Sequence, residues 1–176
     1  MTQETNVMRK LRIEKITLNC GCGTDHTRLE KSHKLLGIIT GRTPVKIVTQ
    51  KRIPGWGLRP GLPIGTKVTL RGKLAKDTLV RLLTAQEKVL KPNNFDAAGN
   101  VSFSVPECID IPGVEYDPTI GILGLQVTVT LQRPGFRIRR RIFMNRSIPH
   151  KSRIAAAEAI AFAQAEWGIK VQDEDN

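Results

Sequence analysis

Ile16, Leu18 and Cys20 alternate with Lys15, Thr17 and Asn19, a period of two that predicts a half-buried strand in the second half of residues 11–23. Past the turn residues Gly21, Gly23 and Thr24 the spacing lengthens to that of a helix. Leu29, Leu35, Leu36, Ile38 and Ile39 mark one stripe between Asp25 and Thr40, and Gly41 is placed to end it. Residues 44–53 are β-branched and bounded by Pro44 and Pro54, which predicts a second strand. Residues 65–73 alternate again, with Val68 and Leu70 opposed to Lys67, Thr69 and Arg71. A second helix is expected over 74–90, its buried stripe being Leu79, Leu82 and Leu83.

Residues 91–120 break the periodicity with Pro, Gly and Asn and read as irregular chain with short extended pieces. Val127, Val129 and Leu131 restore it against Gln126, Thr128, Thr130 and Gln132. Residues 136–143 are expected to pair with that strand across the Arg133-Pro134-Gly135 turn, setting Arg137, Arg139 and Arg141 on one side as a further basic surface. A last helix is expected over 149–167, with Pro149 in its first turn, Gly168 at its end, and Ile154, Ala157, Ala161, Phe162 and Ala165 as its face. The order β-α-β-β-α-irregular-β-β-α implies an α+β fold: a curved mixed or antiparallel sheet with helices packed on one face and the other face open. At 176 residues and 40% hydrophobic content the chain can bury one core. We expect a single domain over 9–170, between a flexible tail at 1–8 and an acidic tail at 171–176.

Charge changes the picture by being segregated. Residues 31–76 hold eleven Lys or Arg and no acid, and 118–157 hold eight bases and no acid, whereas 77–117 carry seven acids against three bases. A net charge of +12 distributed in this way concentrates positive potential on particular surfaces, where a phosphate backbone can lie. A solvated basic surface serving solubility alone needs only modest, mixed charge.

The chain offers little for other functions. No apolar run is long enough to span a bilayer and the first ten residues lack the apolar stretch of a signal peptide, so the chain reads as cytosolic. Cys20, Cys22 and Cys108 are too few and too irregular for a disulfide framework, and Cys20, Cys22 and His26 lack the spacing and fourth ligand of a zinc site. They read as small buried hydrophobes. No metal, cofactor or catalytic residue is expected: His26, His33 and His150 stand without a motif, and Gly21-Cys22-Gly23 lacks the third glycine of a dinucleotide fingerprint. Glu107, Asp110, Glu115 and Asp117 are spread over Pro-broken chain and face solvent or a basic partner rather than forming an acid-base pair.

The sheet's polar face is the candidate site. Alternation places Lys15, Thr17, Asn19, Lys67, Thr69 and Arg71 there, with Gln126, Thr128 and Thr130 beside them. Amides and hydroxyls bond ribose hydroxyls and base edges while Lys and Arg neutralise phosphate, so such a face suits structured RNA; an ordinary wetted sheet face is the plainer reading. Aromatic content of 5% and the lack of a stacking signature argue against reading single-stranded bases by stacking, so a folded RNA seen through its backbone and shape is expected. Arg42, Thr43, Lys46, Gln50, Lys51 and Arg52, from the acid-free run, complete the candidate RNA contacts. Residues 53–65 carry Pro54, Pro60, Pro63 and four glycines, a long exposed loop presenting Gly55, Trp56, Gly57, Leu58, Arg59 and Pro60.

IEKITLNCGCG, LLGIITGRTPVKIVTQKRI, GLPIGTKVTLRGK and NNFDAAGNVSFSVPECIDIPGVEYDP, in that order, resemble the successive motifs of the universal large-subunit ribosomal protein five family (bacterial L-five, eukaryotic L-eleven). The resemblance covers about residues 9–168; YDPTIGILGL and RPGFRIRRR resemble the archaeal and eukaryotic branch, and the brief N-terminus favours an archaeal source. It implies a protein that binds 5S ribosomal RNA in the central protuberance through the open face of its sheet. It also implies contacts with large-subunit RNA, with peptidyl-site tRNA through the 54–62 loop, and with neighbouring ribosomal proteins including the small-subunit head. Asn19 and Thr69 fall on family positions that bond 5S RNA. Arg42 stands where the family often has Gln, and an Arg there can supply a charge-assisted phosphate bond instead. The alternative from another class is a non-ribosomal regulator or RNA-modifying enzyme on a similar basic sheet.

Overall fold

The structure, a computed structural model, describes residues 6–172. In chain order the elements are β1 (Arg12–Gly21), α1 (His26–Thr40), β2 (Val45–Val48), β3 (Pro63–Leu70), α2 (Gly72–Ala85), β4 (Val89–Leu90), β5 (Val101–Val105), β6 (Leu125–Gln132), α3 (Ala156–Trp167) and β7 (Lys170–Val171). Five strands form one sheet in the order β2-β3-β1-β6-β5, antiparallel at every pairing, and β4 and β7 make a separate parallel pair. The α+β expectation with helices on one face holds, and the main sheet is antiparallel rather than mixed.

Sequence dictates the local starts and stops. The Asp25 carboxylate accepts from the backbone N–H of Thr27 at 2.9 Å and of Arg28 at 3.2 Å, satisfying donors that the first turn of α1 leaves open, and Gly41 ends that helix at φ 62°. Ile16, Leu18 and Cys20 of β1, Val68 and Leu70 of β3, and Val127, Val129 and Leu131 of β6 are buried with Leu29, Leu35, Leu36 and Ile39 of α1 and Leu79, Leu82 and Leu83 of α2. Close approach of β3 to β1 requires a glycine, because a Cβ at Gly65 would lie 2.8 Å from the Cys20 carbonyl oxygen. Under the sheet, Ser32 Oγ donates to the Leu29 carbonyl at 2.8 Å, lies 2.9 Å from Thr66 Oγ1 and accepts from the Cys22 thiol at 3.1 Å, so the buried polar groups pair. All three cysteines are buried, as small hydrophobes would be. Burial, reinforced by the neighbouring Cys22 thiol, pushes Cys20 up to about 11, which keeps it protonated at neutral pH.

Several boundaries differ from expectation. β1 runs the whole of 12–21, whereas β2 keeps only Val45–Val48 of the expected 44–53. α2 stops at Ala85 because Glu87 and Lys88 adopt positive φ and turn the chain into β4. α3 begins at Ala156, after a 3-10 turn at His150–Ser152, and buries Ala159 and Ala163; Ala157, Ala161 and Ala165 of the expected face are exposed. Tertiary contacts turn that alanine-rich helix about its axis: Glu158, in its first turn, is held by Arg133, a nearly buried residue whose Nη2 lies 2.7 Å from Glu158 Oε2, and the same oxygen accepts from the Ala155 N–H.

The expected strand at 136–143 does not form. β6 is hydrogen-bonded to β1 on one edge and to β5 on the other, so it has no free edge for a hairpin partner. Phe136–Arg139 turn as a 3-10 helix instead, and residues 140–149 continue as irregular chain. Of the expected tails, Val7–Arg9 form a 3-10 turn and Val171 lies in β7; residues 1–5 and 173–176 are outside the described residues.

Candidate nucleic-acid interface

Register across the antiparallel sheet assembles the polar positions into rows on the face that the helices leave open. Asn19 lies between Lys67 of β3 and Gln126 of β6, and Gln126 in turn opposes Ser104 of β5. Thr17 lies between Thr69 and Thr128, and Thr128 opposes Ser102. Lys15 opposes Thr130. One face therefore presents four strands' worth of amides, hydroxyls and ammonium groups, brought from positions more than 100 residues apart.

These rows are only partly self-satisfied. Asn19 Nδ2 donates to Gln126 Oε1 at 3.3 Å and Ser102 Oγ to Thr128 Oγ1 at 3.3 Å. Asn19 Oδ1 is enclosed and has no hydrogen-bond partner among the described residues. A buried acceptor left unpaired costs about 1–3 kcal/mol.

The end of the face near the start of β1 is electrostatically arranged. A register shift between Ile13 and Lys15 makes Glu14 a bulge residue. Its carboxylate sits 2.6 Å from Arg140 Nη1 and 3.9 Å from Arg71 Nη1, and Arg140 Nη2 also donates to Gln132 Oε1 at 2.8 Å. The acid is thus neutralised twice over, and Arg71 and Arg140 are held beside Lys15.

The other expected contacts distribute unevenly. Arg42 and Thr43 are exposed in the turn after α1, with the Arg42 N–H donating to Thr40 Oγ1 at 3.3 Å. Lys46 opposes the buried Thr66, so it shares the side of the helices and not the open face. Gln50, Lys51 and Arg52 are exposed at the root of the following loop. That loop is ordered: Ile53 and Leu58 exchange backbone hydrogen bonds of 3.0 and 3.1 Å around a 3-10 turn at Pro54–Trp56, and Gly57 closes it at φ 65°. Gly55, Trp56, Arg59 and Pro60 are exposed around that tip, Trp56 at 73%, while Leu58 is half-buried. Arg137, Arg139 and Arg141 are exposed, but on a turn rather than a strand face. Ser102 and Ser104 were missed as members of the face, although the alternation Val101-Ser102-Phe103-Ser104-Val105 carries the same period-two signal as the other strands.

Comparison with known proteins identifies the family. Residues 6–59 match the family model described as Ribosomal protein L5, and residues 63–162 match the model of the C-terminus of that ribosomal family. The chain is 44% identical over 171 residues to the large ribosomal subunit protein uL5 of Sulfurisphaera tokodaii, covering 97% of both chains. It is 44% identical to the uL5 of Nanoarchaeum equitans, over 93% of this chain and 97% of that one, and 42% identical to the uL5 of Methanococcus vannielii, over 96% and 94%. The two matched segments meet at the β2–β3 hairpin and together hold every row of the polar face, so the chain belongs to the uL5 family of large-subunit ribosomal proteins, which are structural and not catalytic.

Proposed function

We propose that the open face of the sheet is the platform that binds 5S ribosomal RNA in the central protuberance of the large subunit. The hairpin tip at 54–62 contacts the peptidyl-site tRNA in this reading, and a further surface meets the small-subunit head. The observation that carries the RNA assignment is the pair of polar rows that register brings side by side, Lys67, Asn19, Gln126 and Ser104 next to Thr69, Thr17, Thr128 and Ser102. Ribose 2′-hydroxyls and base amines are donors that such amides and hydroxyls can accept, and they are what distinguishes RNA recognition from simple phosphate attraction. Lys15, Arg71 and Arg140 at the end of the face supply the charge that draws phosphate in. For the tRNA contact the support is an ordered tip with an exposed Trp56 and Arg59 flanked by Lys51 and Arg52, a combination able to pack on ribose and phosphate without sequence preference.

Titrating the purified chain with 5S rRNA at increasing salt tests the platform. Neutralising roughly five to eight phosphates should make log K fall with log salt at a slope of about −4 to −7. A flat response between low and moderate salt refutes it.

A further inference from the structure

Among the described residues the most exposed large apolar side chains lie neither on the sheet nor on a helix. They are three in a row, Ile142, Phe143 and Met144, at 90%, 84% and 80% exposure. A folded chain has no internal reason to hold consecutive side chains of this size in water.

The segment is built rather than frayed. Backbone N–H groups of Arg140 and Arg141 donate to the Arg137 carbonyl at 2.9 and 3.0 Å, and Arg141 Nε donates to the Met144 carbonyl at 2.8 Å. Met144 is held at φ 53°, a conformation that a residue with a side chain adopts only when its surroundings impose it. Arg140 anchors the whole turn to Glu14 and Gln132 at the end of the open face. Arg12, Gln132, Phe136, Arg137 and Arg140 line one groove together with Ile142, Phe143 and Met144.

The surroundings specify the partner. Residues 118–157 contain eight bases and no acid, and Arg137, Arg139 and Arg146, all exposed, flank the apolar tip along the chain. An apolar tip flanked by arginines fits an anionic partner that also has flat apolar surfaces, which describes RNA with an unstacked base. The sheet itself offers hydroxyls and amides but no aromatic on its open face, so base stacking has to come from outside it. We propose that Ile142, Phe143 and Met144 form a wedge that receives an unpaired base of single-stranded or loop RNA, with Arg137 and Arg146 on the flanking phosphates. The proposal rests on the reading of the adjoining sheet face as an RNA platform and adds to it a second contact of different chemistry.

The full-length protein and its Phe143→Ala and Phe143→Trp variants would be titrated with a mixed-sequence single-stranded RNA of about twelve nucleotides and with the same sequence as a duplex, near physiological salt. Because Phe143 contacts solvent and not the core, both variants should melt like the parent. Phe143→Ala should weaken single-strand binding about 5- to 150-fold with an unchanged salt slope, since no charge is removed. Phe143→Trp should retain affinity, and its extra emission over the Trp56 and Trp167 background should be quenched by the single strand and not by the duplex. Arg146→Gln should make the salt slope shallower by about one. Equal single-strand affinity of Phe143→Ala and parent, or equal quenching by the duplex, overturns the wedge and leaves a protein neighbour as the cover of the tip. Parallel 5S rRNA titrations keep the two readings apart: equal single-strand affinity of parent and Phe143→Ala beside salt-dependent 5S binding overturns the wedge alone, and a flat 5S response to salt beside weakened single-strand binding of Phe143→Ala overturns the platform alone.

Discussion

Replacing Asn19 by alanine should move stability and RNA affinity independently. In the free protein the change removes one neutral hydrogen bond, the 3.3 Å contact from Nδ2 to Gln126, worth about 0.5–1.5 kcal/mol. It also removes the buried, unpaired Oδ1, whose desolvation costs about 1–3 kcal/mol. The two effects oppose each other, so the net change in stability should stay within about 1–2 kcal/mol of zero and tend toward stabilisation. For a chain of this length that corresponds to a Tm shift of roughly 2–8 °C at most. If the Asn19 amide contacts RNA as proposed, removing it strands the RNA group it bonds at a cost of about 1–3 kcal/mol, or about a 5- to 150-fold rise in Kd. Calorimetric melting of the variant alongside filter binding to 5S rRNA at fixed salt measures both quantities. Unaltered affinity together with a large drop in Tm would falsify the assignment, because Asn19 would then be a packing residue whose oxygen serves the fold.

Three further outcomes follow from other parts of the molecule. Exchanging residues 55–61 for a short Gly-Ser linker should leave 5S rRNA binding intact, because the tip lies beyond the polar rows, and should weaken retention of peptidyl-site tRNA on ribosomes carrying the variant; undiminished retention removes the role given to Trp56 and Arg59. Glu158→Ala should destabilise the fold by about 3 kcal/mol, the low end for breaking a buried ion pair because the carboxylate is half exposed, and should lower Tm by roughly 6–12 °C; a Tm within a degree or two of the parent would mean that solvent compensates Arg133. Hydrogen bonds from the Thr27 hydroxyl and the Arg28 N–H hold the Asp25 carboxyl below its ordinary value, so its contribution is present above the unfolded-state value and is lost as pH falls through the lower folded one. The Tm gap between parent and Asp25→Ala should therefore be widest at neutral pH and close below about pH 4; a gap independent of pH refutes the charged cap.

By itself the sequence determined which side of each strand faces the core, where the first helix starts and stops, and that positive charge is gathered into two acid-free runs. Those properties are local. A period of two assigns Asn19 and Thr69 to the polar side whatever the strands' neighbours are, Asp25 and Gly41 bound α1 through their own side chain and φ, and segregation of charge survives folding because charged side chains stay at the surface. The tertiary structure alone decided what depends on who sits beside whom. Residues 136–143 have the alternation of a strand, but β1 and β5 already occupy both edges of β6, so the segment turns away and becomes an arginine-rich loop. Lys46 belongs to the basic run, yet its register with Thr66 turns it from the open face. The alanine-rich α3 has too weak a hydrophobic stripe to choose its own rotation, and Arg133 with Glu158 chooses it instead. The unpaired oxygen of Asn19 likewise exists only because Lys67 and Gln126 are brought to either side of it, by pairings between residues 48 and 107 positions away that no local pattern records.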